Sequence, residues 1–500
     1  MGTQQRVPAF WAGNQSWCVR YSPHLPGRYT YHTVCSDGSN PDLHDRSGTL
    51  EVAPYQGTNL LYQRGPIRVA ADRRHFEHAD GTPFFWLGDT NWMGLCKRLH
   101  WPGEFQSLAA DRVGKGFTVV QIVAGLYPDM PPFDTRGANE GGYPWEKDYT
   151  RINPAYFNMA DLRIQHLAER GLVPCIVGCW GYFLPIMGIP KMKQHWRYLI
   201  ARWGAYPVVW CLCGEVPMPF YLSKTREADT ALQIQGWNEL ARYVRSLDPY
   251  RRLLTVHPCI DWLRPRDPDV IGFTLDPAVL DFIMLEISAD HAVKWLRQSL
   301  VFSPKMPALV GEMEYEGMFE TRMAEVQRSL AWACVLSGAA GHTYGANGVW
   351  QLNRAGEPFG PSPYGQSWGD TPWDVAAQYP GARQVGLIKS LLFRYPWWRL
   401  EPHPEWVELQ GGRGKPSSAY AASIPGEIYI VYIPAASSAG AKARISHLAP
   451  GRKYRAFYFD PISGREHPIA VATSDAGGEW TAPMTPAIHD WTLVLDVREG

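Results

Sequence analysis

Between about residue 80 and residue 395, short apolar runs alternate eight times with helical stretches, and that alternation leaves few folds open. The runs cover residues 84–89, 117–123, 173–178, 207–215, 253–257, 281–286, 308–312 and 341–345. Continuous apolar runs of this length suit strands buried on both faces, as in parallel sheets. The stretches between them carry helical signals: Asn153-Pro154 reads as an N-cap and first-turn proline, with Ala160, Ile164, Leu167 and Ala168 on one face and Gly171 as the stop. Eight such units match an α/β fold of the (β/α)8 TIM-barrel type. A doubly wound sheet would show a Gly-rich phosphate turn after its first strand. Leu87-Gly-Asp-Thr-Asn-Trp92 is not one, and no P-loop occurs.

The flanks read differently. Residues 1–67 are rich in turns and alternating β-formers and predict a small antiparallel β-domain, residues 68–398 the barrel, and the helix-free residues 399–500 a β-sandwich domain. The expected architecture is a barrel between N-terminal and C-terminal antiparallel, sandwich-like domains, whose exposed edges offer a route to a homo-oligomer.

Lys+Arg and Asp+Glu balance at 48 each, so no basic field points to a nucleic-acid partner. The basic pairs Lys191/Lys193 and Arg264/Arg266 read as solvated surface. The N-terminus lacks an apolar secretory core, and no long uninterrupted apolar stretch suggests a membrane span. Nine scattered cysteines fit a reducing compartment, so a cytoplasmic location is expected; Cys18 and Cys35 are the candidate disulfide. The chain also carries 22 Trp and 25 Tyr, rings that suit sugar faces as well as cores.

Two of the eight runs end in Gly-Glu, at Glu215 and Glu312. A carboxylate closing an apolar strand is costly to bury unless paired or protonated, and the C-terminal rim of a barrel is where active sites lie. Two such groups at one rim fit the acid and the nucleophile of glycosidic cleavage; each read alone also fits a helix cap or an arginine partner. Glu314 and Glu316 are rivals for the nucleophile. Around the expected rim stand Asp89 and Trp92, as sugar-hydroxyl binder and stacking wall, or with Asp89 as a loop cap. Trp180 and Trp350 are pocket walls or core, Tyr344 and Asn347 are candidates to keep Glu312 ionised, and Glu286 closes the sixth run. His257, His291 and His342 are hydroxyl binders or structural donors, with a three-histidine zinc site as the alternative. No metal and no cofactor are expected. The loop over residues 129–145 reads as a lid, a leaving-group subsite or a plain connection.

Four stretches together resemble a known family: Gly81-Thr-Pro-Phe-Phe-Trp-Leu-Gly-Asp-Thr-Asn-Trp92, Tyr206-Pro-Val-Val-Trp-Cys-Leu-Cys-Gly-Glu215, Val310-Gly-Glu-Met-Glu-Tyr-Glu-Gly317 and Gly341-His-Thr-Tyr-Gly-Ala-Asn-Gly348. They are similar to the apiosidase-like glycoside hydrolases, the domain-of-unknown-function family 4038 related to glycoside hydrolase family 140, with its N-terminal β-domain and C-terminal collagen-binding-type β-domain. The resemblance implies a retaining enzyme with Glu215 as acid/base and Glu312 as nucleophile, acting on furanosides such as β-apiosides. Two positions depart from the pattern: Gly214 stands where related barrels have Asn, and Glu286 where a neutral residue is usual. The expected activity is a retaining, exo-acting glycosidase on small glycosides or oligosaccharides. The alternatives are a pyranosidase, a non-catalytic carbohydrate-binding barrel and a metal-dependent hydrolase.

Overall fold

A computed structural model of the chain describes residues 4–259, 275–410 and 419–497. Eight parallel strands form the centre: β1 (Trp86–Thr90), β2 (Val119–Val123), β3 (Val173–Val177), β4 (Val209–Val216), β5 (Leu254–Pro258), β6 (Ile283–Glu286), β7 (Ala308–Glu312) and β8 (Gly341–Tyr344). They pair in the order β5-β4-β3-β2-β1-β8-β7-β6. The seam between β5 and β6 is held by a parallel bridge from Cys259 to Glu286 and by Asp281 N–H donating to Leu254 O at 2.9 Å. The result is a nearly closed (β/α)8 barrel.

Apolar residues are buried along every one of these strands, as the continuous runs require. Inside the barrel three polar side chains are linked in one hydrogen-bonded chain. Trp86 Nε1 donates to Thr343 Oγ1 at 3.1 Å, Thr343 Oγ1 to Gln121 Oε1 at 3.0 Å, and Gln121 Nε2 to Gly311 O at 2.9 Å. Such a chain avoids the penalty of unpaired buried donors.

Helices α1 (Gly103–Gly114), α2 (Pro154–Glu169), α3 (Ile189–Trp203), α4 (Arg226–Leu247), α5 (Ala292–Leu300), α6 (Ala324–Leu336) and α7 (Pro380–Leu392) surround the strands. α2 starts as its sequence predicts, with Asn153 accepting from Ala155 N–H at 3.1 Å. Arg264 and Arg266 lie outside the described residues. The first strand begins at Trp86 rather than at residue 84, because Pro83–Phe84 pairs antiparallel with Phe76–His78. That small sheet closes the bottom of the barrel, where the Phe76 ring meets Phe282 at 5.1 Å.

The N-terminal segment forms two separate two-stranded ribbons, Phe10–Gly13 with Ser16–Cys18 and Gly27–His32 with Ser47–Val52. Its anchor is Arg20, which donates to Arg202 O at 2.7 Å and pairs with Asp161 of α2. All nine cysteines are free thiols. The candidate Cys18–Cys35 bridge is not formed: Cys18 ends a strand of the first ribbon and Cys35 lies in the loop between the strands of the second.

At the other end a six-stranded antiparallel sheet and a three-stranded one enclose a second core. This unit docks on α6 through Arg328, whose Nε and Nη2 donate to Asp490 at 2.7 and 2.6 Å, and through Trp332, stacked on Tyr432 at 6.0 Å. Among the described residues no helix is long and apolar enough to cross a membrane.

Candidate active site

Both candidate carboxylates stand at irregularities in the barrel ladder. Along β4 and β5, Cys211 pairs with Thr255, Gly214 with His257 and Val216 with Pro258. Each step leaves an extra residue on β4, and Glu215 is the second, with φ of 50°. Between β6 and β7, Leu285 pairs with Val310 and Glu286 with Glu312, which leaves Gly311 unpaired. Bulges re-aim the side chains beside them. Here the slip puts Glu312 on the face of Glu286, whereas strict alternation would put it on the face of Val310.

The rim then assembles into one arc. Trp180 Nε1 donates to Glu215 Oε2 at 2.6 Å, and Glu215 also shares a hydrogen bond with Glu286. The fully buried imidazole of His257 lies between two carboxylates, Nδ1 3.4 Å from Glu286 Oε2 and Nε2 3.1 Å from Glu312 Oε2. The Tyr315 hydroxyl donates to Glu312 Oε1 and accepts from Trp92 Nε1, the latter at 2.7 Å.

The two glutamates meet different surroundings. Burial, and after it the charge of Glu312, raises the Glu215 carboxyl to about 8, while the Trp180 N–H acts in the opposite sense. Glu312 has the Tyr315 hydroxyl and a His257 nitrogen against it. Among the described residues, His257, Glu286 and Glu312 also offer metal-ligand atoms within 4.8 Å of one another. Each imidazole nitrogen lies close to a different carboxylate oxygen without reaching hydrogen-bond alignment.

Of the residues picked from the sequence, Trp92, Trp180, His257 and Glu286 join Glu215 and Glu312. The Trp92 and Trp180 rings are 5.6 Å apart and lie 5.5 and 6.1 Å from the His257 ring. Trp350 packs on Tyr315 at 5.7 Å, behind Glu312. Asn347 is buried and donates to Trp368 O.

Asp89, His342, Tyr344 and His291 do not join them, and the binding roles expected of these four are corrected accordingly. Gly88 pairs with Thr343 on the interior face, so Asp89 and its partner Tyr344, one position on, face the helices. There Arg112 Nε donates to Asp89 Oδ2 at 2.9 Å, and the Tyr344 hydroxyl to Glu316 Oε2 at 2.6 Å. His342 shares the face of Tyr344, and burial lowers it to about 3. His291 is exposed at the start of α5, beside Ser288 Oγ at 3.2 Å. The three histidines therefore form no zinc site. A position at a strand end does not decide the direction of a side chain; the pleat does.

The rival nucleophiles are engaged elsewhere. Glu314 pairs with Arg322 at 2.5 Å, and Glu316 is buried against Tyr344 and Gly381 N–H. Two site residues went unread in the sequence. Tyr315 lies three residues after Glu312, inside a quoted stretch; Asp129 lies in the loop singled out after β2, where Tyr221 and Trp368 flank it. The rest of that loop is braced on α2, with Asn139 Nδ2 donating to Tyr156 O at 2.9 Å and Arg163 Nη2 to Glu140 Oε1 at 2.8 Å.

A sequence model of the apiosidase-like catalytic domain matches residues 70–399. The chain belongs to the apiosidase-like family. A domain of unknown function, DUF5060, matches residues 1–36. Among solved structures, one described as a glycoside hydrolase aligns with a TM-score of 0.70 at 21% identity, over 88% of this chain and 98% of its own. A family 5 glycoside hydrolase from Bacteroides vulgatus aligns with a TM-score of 0.70 at 22% identity, over 88% and 95%. At these identities the likeness shows the fold. A search of curated proteins returned no match.

Within this apiosidase-like barrel the departure at Gly214 has a steric reason. A Cβ there would come within 2.5 Å of the Trp180 ring, so the glycine makes room for the indole that reaches Glu215. Gly214→Asn is expected to push Trp180 aside and destabilise the fold by about 1–3 kcal/mol. A thermal-unfolding midpoint equal to that of the parent protein would contradict this.

Proposed function

We propose that the chain is a retaining exo-glycosidase of small glycosides or oligosaccharides, with a β-apioside-type furanoside as the expected substrate. One observation carries the reading: two carboxylates from distant strands share one arc, and their environments differ in the sense that acid and nucleophile require. Glu312 attacks the anomeric carbon while Glu215 gives its proton to the leaving oxygen. Glu215 then takes a proton from the water that releases the sugar from Glu312. Tyr315 and His257 hold the Glu312 carboxylate in place, and Trp180 holds Glu215.

The exo mode draws support from the wall at one side of the cup, where the Tyr221 ring stands 5.6 Å from Tyr182 and 5.0 Å from Tyr364. On the exo reading these rings close one side of the site to a longer chain. Membership of the apiosidase-like family supports the furanoside. Assay of a panel of aryl furanosides and pyranosides tests both: hydrolysis led by an apiofuranoside is expected, and a panel left wholly intact would sink the reading.

Tyr315→Phe removes one hydrogen bond to a charged group, worth about 1.5–3 kcal/mol. The expected result is a kcat lower by roughly 10- to 100-fold with KM little changed. An unaltered kcat would mean that Glu312 needs no help from this hydroxyl.

A further inference from the structure

Besides Glu215, Glu286 and Glu312, a fourth carboxyl is buried near enough for its charge to act on Glu215. Asp129 has φ of 54°, and 7% of its surface is exposed. Burial raises its carboxyl to about 6; the Tyr221 hydroxyl and the Trp368 indole lower it, and the charge of Glu312 raises it again. Among the described residues no Lys or Arg forms an ion pair with Asp129, and the nearby Arg136 is paired with Asp134 at 2.8 Å. A buried acid without a counter-ion opposes folding, and groups of this kind concentrate where a ligand is bound.

The surroundings offer complementary polar atoms. Trp368 carries Phe319 at 5.8 Å on one side and accepts from Asn347 through its carbonyl. Asn347 Oδ1, Trp350 Nε1 and Trp368 Nε1 are buried without a partner in hydrogen-bond geometry. A sugar hydroxyl both donates and accepts, so it can satisfy an amide oxygen or an indole N–H, and adjacent hydroxyls can donate together to the two oxygens of one carboxylate.

We propose that Asp129 selects the terminal sugar by accepting hydrogen bonds from two of its adjacent hydroxyls, so that the substrates are glycosides whose glycone carries a vicinal diol away from the anomeric carbon. This rests on the glycosidase reading above. Asp129→Asn is the informative variant, because Asn tolerates the left-handed backbone and loses the buried charge; its unfolding midpoint is expected to equal or exceed that of the parent.

The test compares an aryl glycoside with analogues lacking one ring hydroxyl at a time. The parent enzyme is expected to prefer the full glycoside by roughly 10- to 100-fold in kcat/KM over the two analogues that lack a hydroxyl facing Asp129. In Asp129→Asn that preference falls toward unity. An undiminished preference in the variant overturns the proposal. If the parent hydrolyses nothing, the glycosidase reading fails by itself, and calorimetry with free apiose, arabinose, xylose and glucose decides about Asp129. Binding by the parent that the variant loses supports it; equal binding by both, or none by the parent, overturns it.

Discussion

Glu312→Gln is expected to abolish measurable turnover, with kcat lowered on the order of 10⁴-fold or more, as for the loss of other covalent nucleophiles. The amide keeps the shape of the carboxylate and still accepts from Tyr315, so folding and glycoside binding are expected to survive. What disappears is the atom that forms the bond to the anomeric carbon. A second consequence follows from the coupling across the cup. The charge of Glu312 helps to raise Glu215, so the variant should titrate Glu215 at lower pH. Near-parent kcat in Glu312→Gln would exclude it as the nucleophile, whatever the fold.

Glu215→Gln is expected to lower kcat/KM by about 10²- to 10⁴-fold, the usual contribution of general acid catalysis, for substrates with poor leaving groups. A 2,4-dinitrophenyl glycoside, whose leaving group needs no proton, should lose far less in the first chemical step. The pH profile supplies the sign. Glu215 must carry its proton to act as the acid, and its carboxyl is held at about 8, so kcat/KM of the parent falls as pH rises through that value. The variant loses that limb. Stability moves in a related way: below the ordinary carboxyl value of 4.5 the group is protonated folded or unfolded, and above it the folded state resists ionisation until about pH 8. Glu215→Gln should therefore match the parent in thermal stability at acid pH and exceed it near pH 8. An alkaline limb retained in the variant would assign the proton to another group.

The barrel was legible because its signal is local and repeated. Each strand is an apolar run, and α2 announces itself through Asn153 and Pro154. Glu215 and Glu312 were legible as strand ends preceded by glycine. The direction of neighbouring side chains was not, because it depends on register. Asp89 and Tyr344 lie at the C-terminal ends of β1 and β8 within one residue and still face the helices, since the pair before them, Gly88 and Thr343, faces the interior. Glu312 faces inward only because Gly311 is left out of the ladder. Nothing local in Val310-Gly-Glu distinguishes a bulge from a regular strand. Asp129 and Tyr315 were not picked for a related reason: each meets neighbours far along the chain, Trp368 for one and Trp92 for the other. Gly214 was noticed as a departure, but its reason needed the Trp180 ring lying over it.

Covalent trapping tests the division of labour between the two glutamates most directly. A 2-fluoro analogue of an aryl glycoside that the enzyme hydrolyses slows both chemical steps, and an activated leaving group restores the first, so the sugar accumulates on the nucleophile. Peptide mass mapping should then find the label on Glu312 alone. A label on Glu215, Glu286 or Glu314, or turnover that inverts the anomeric centre without any label, would contradict the assignment.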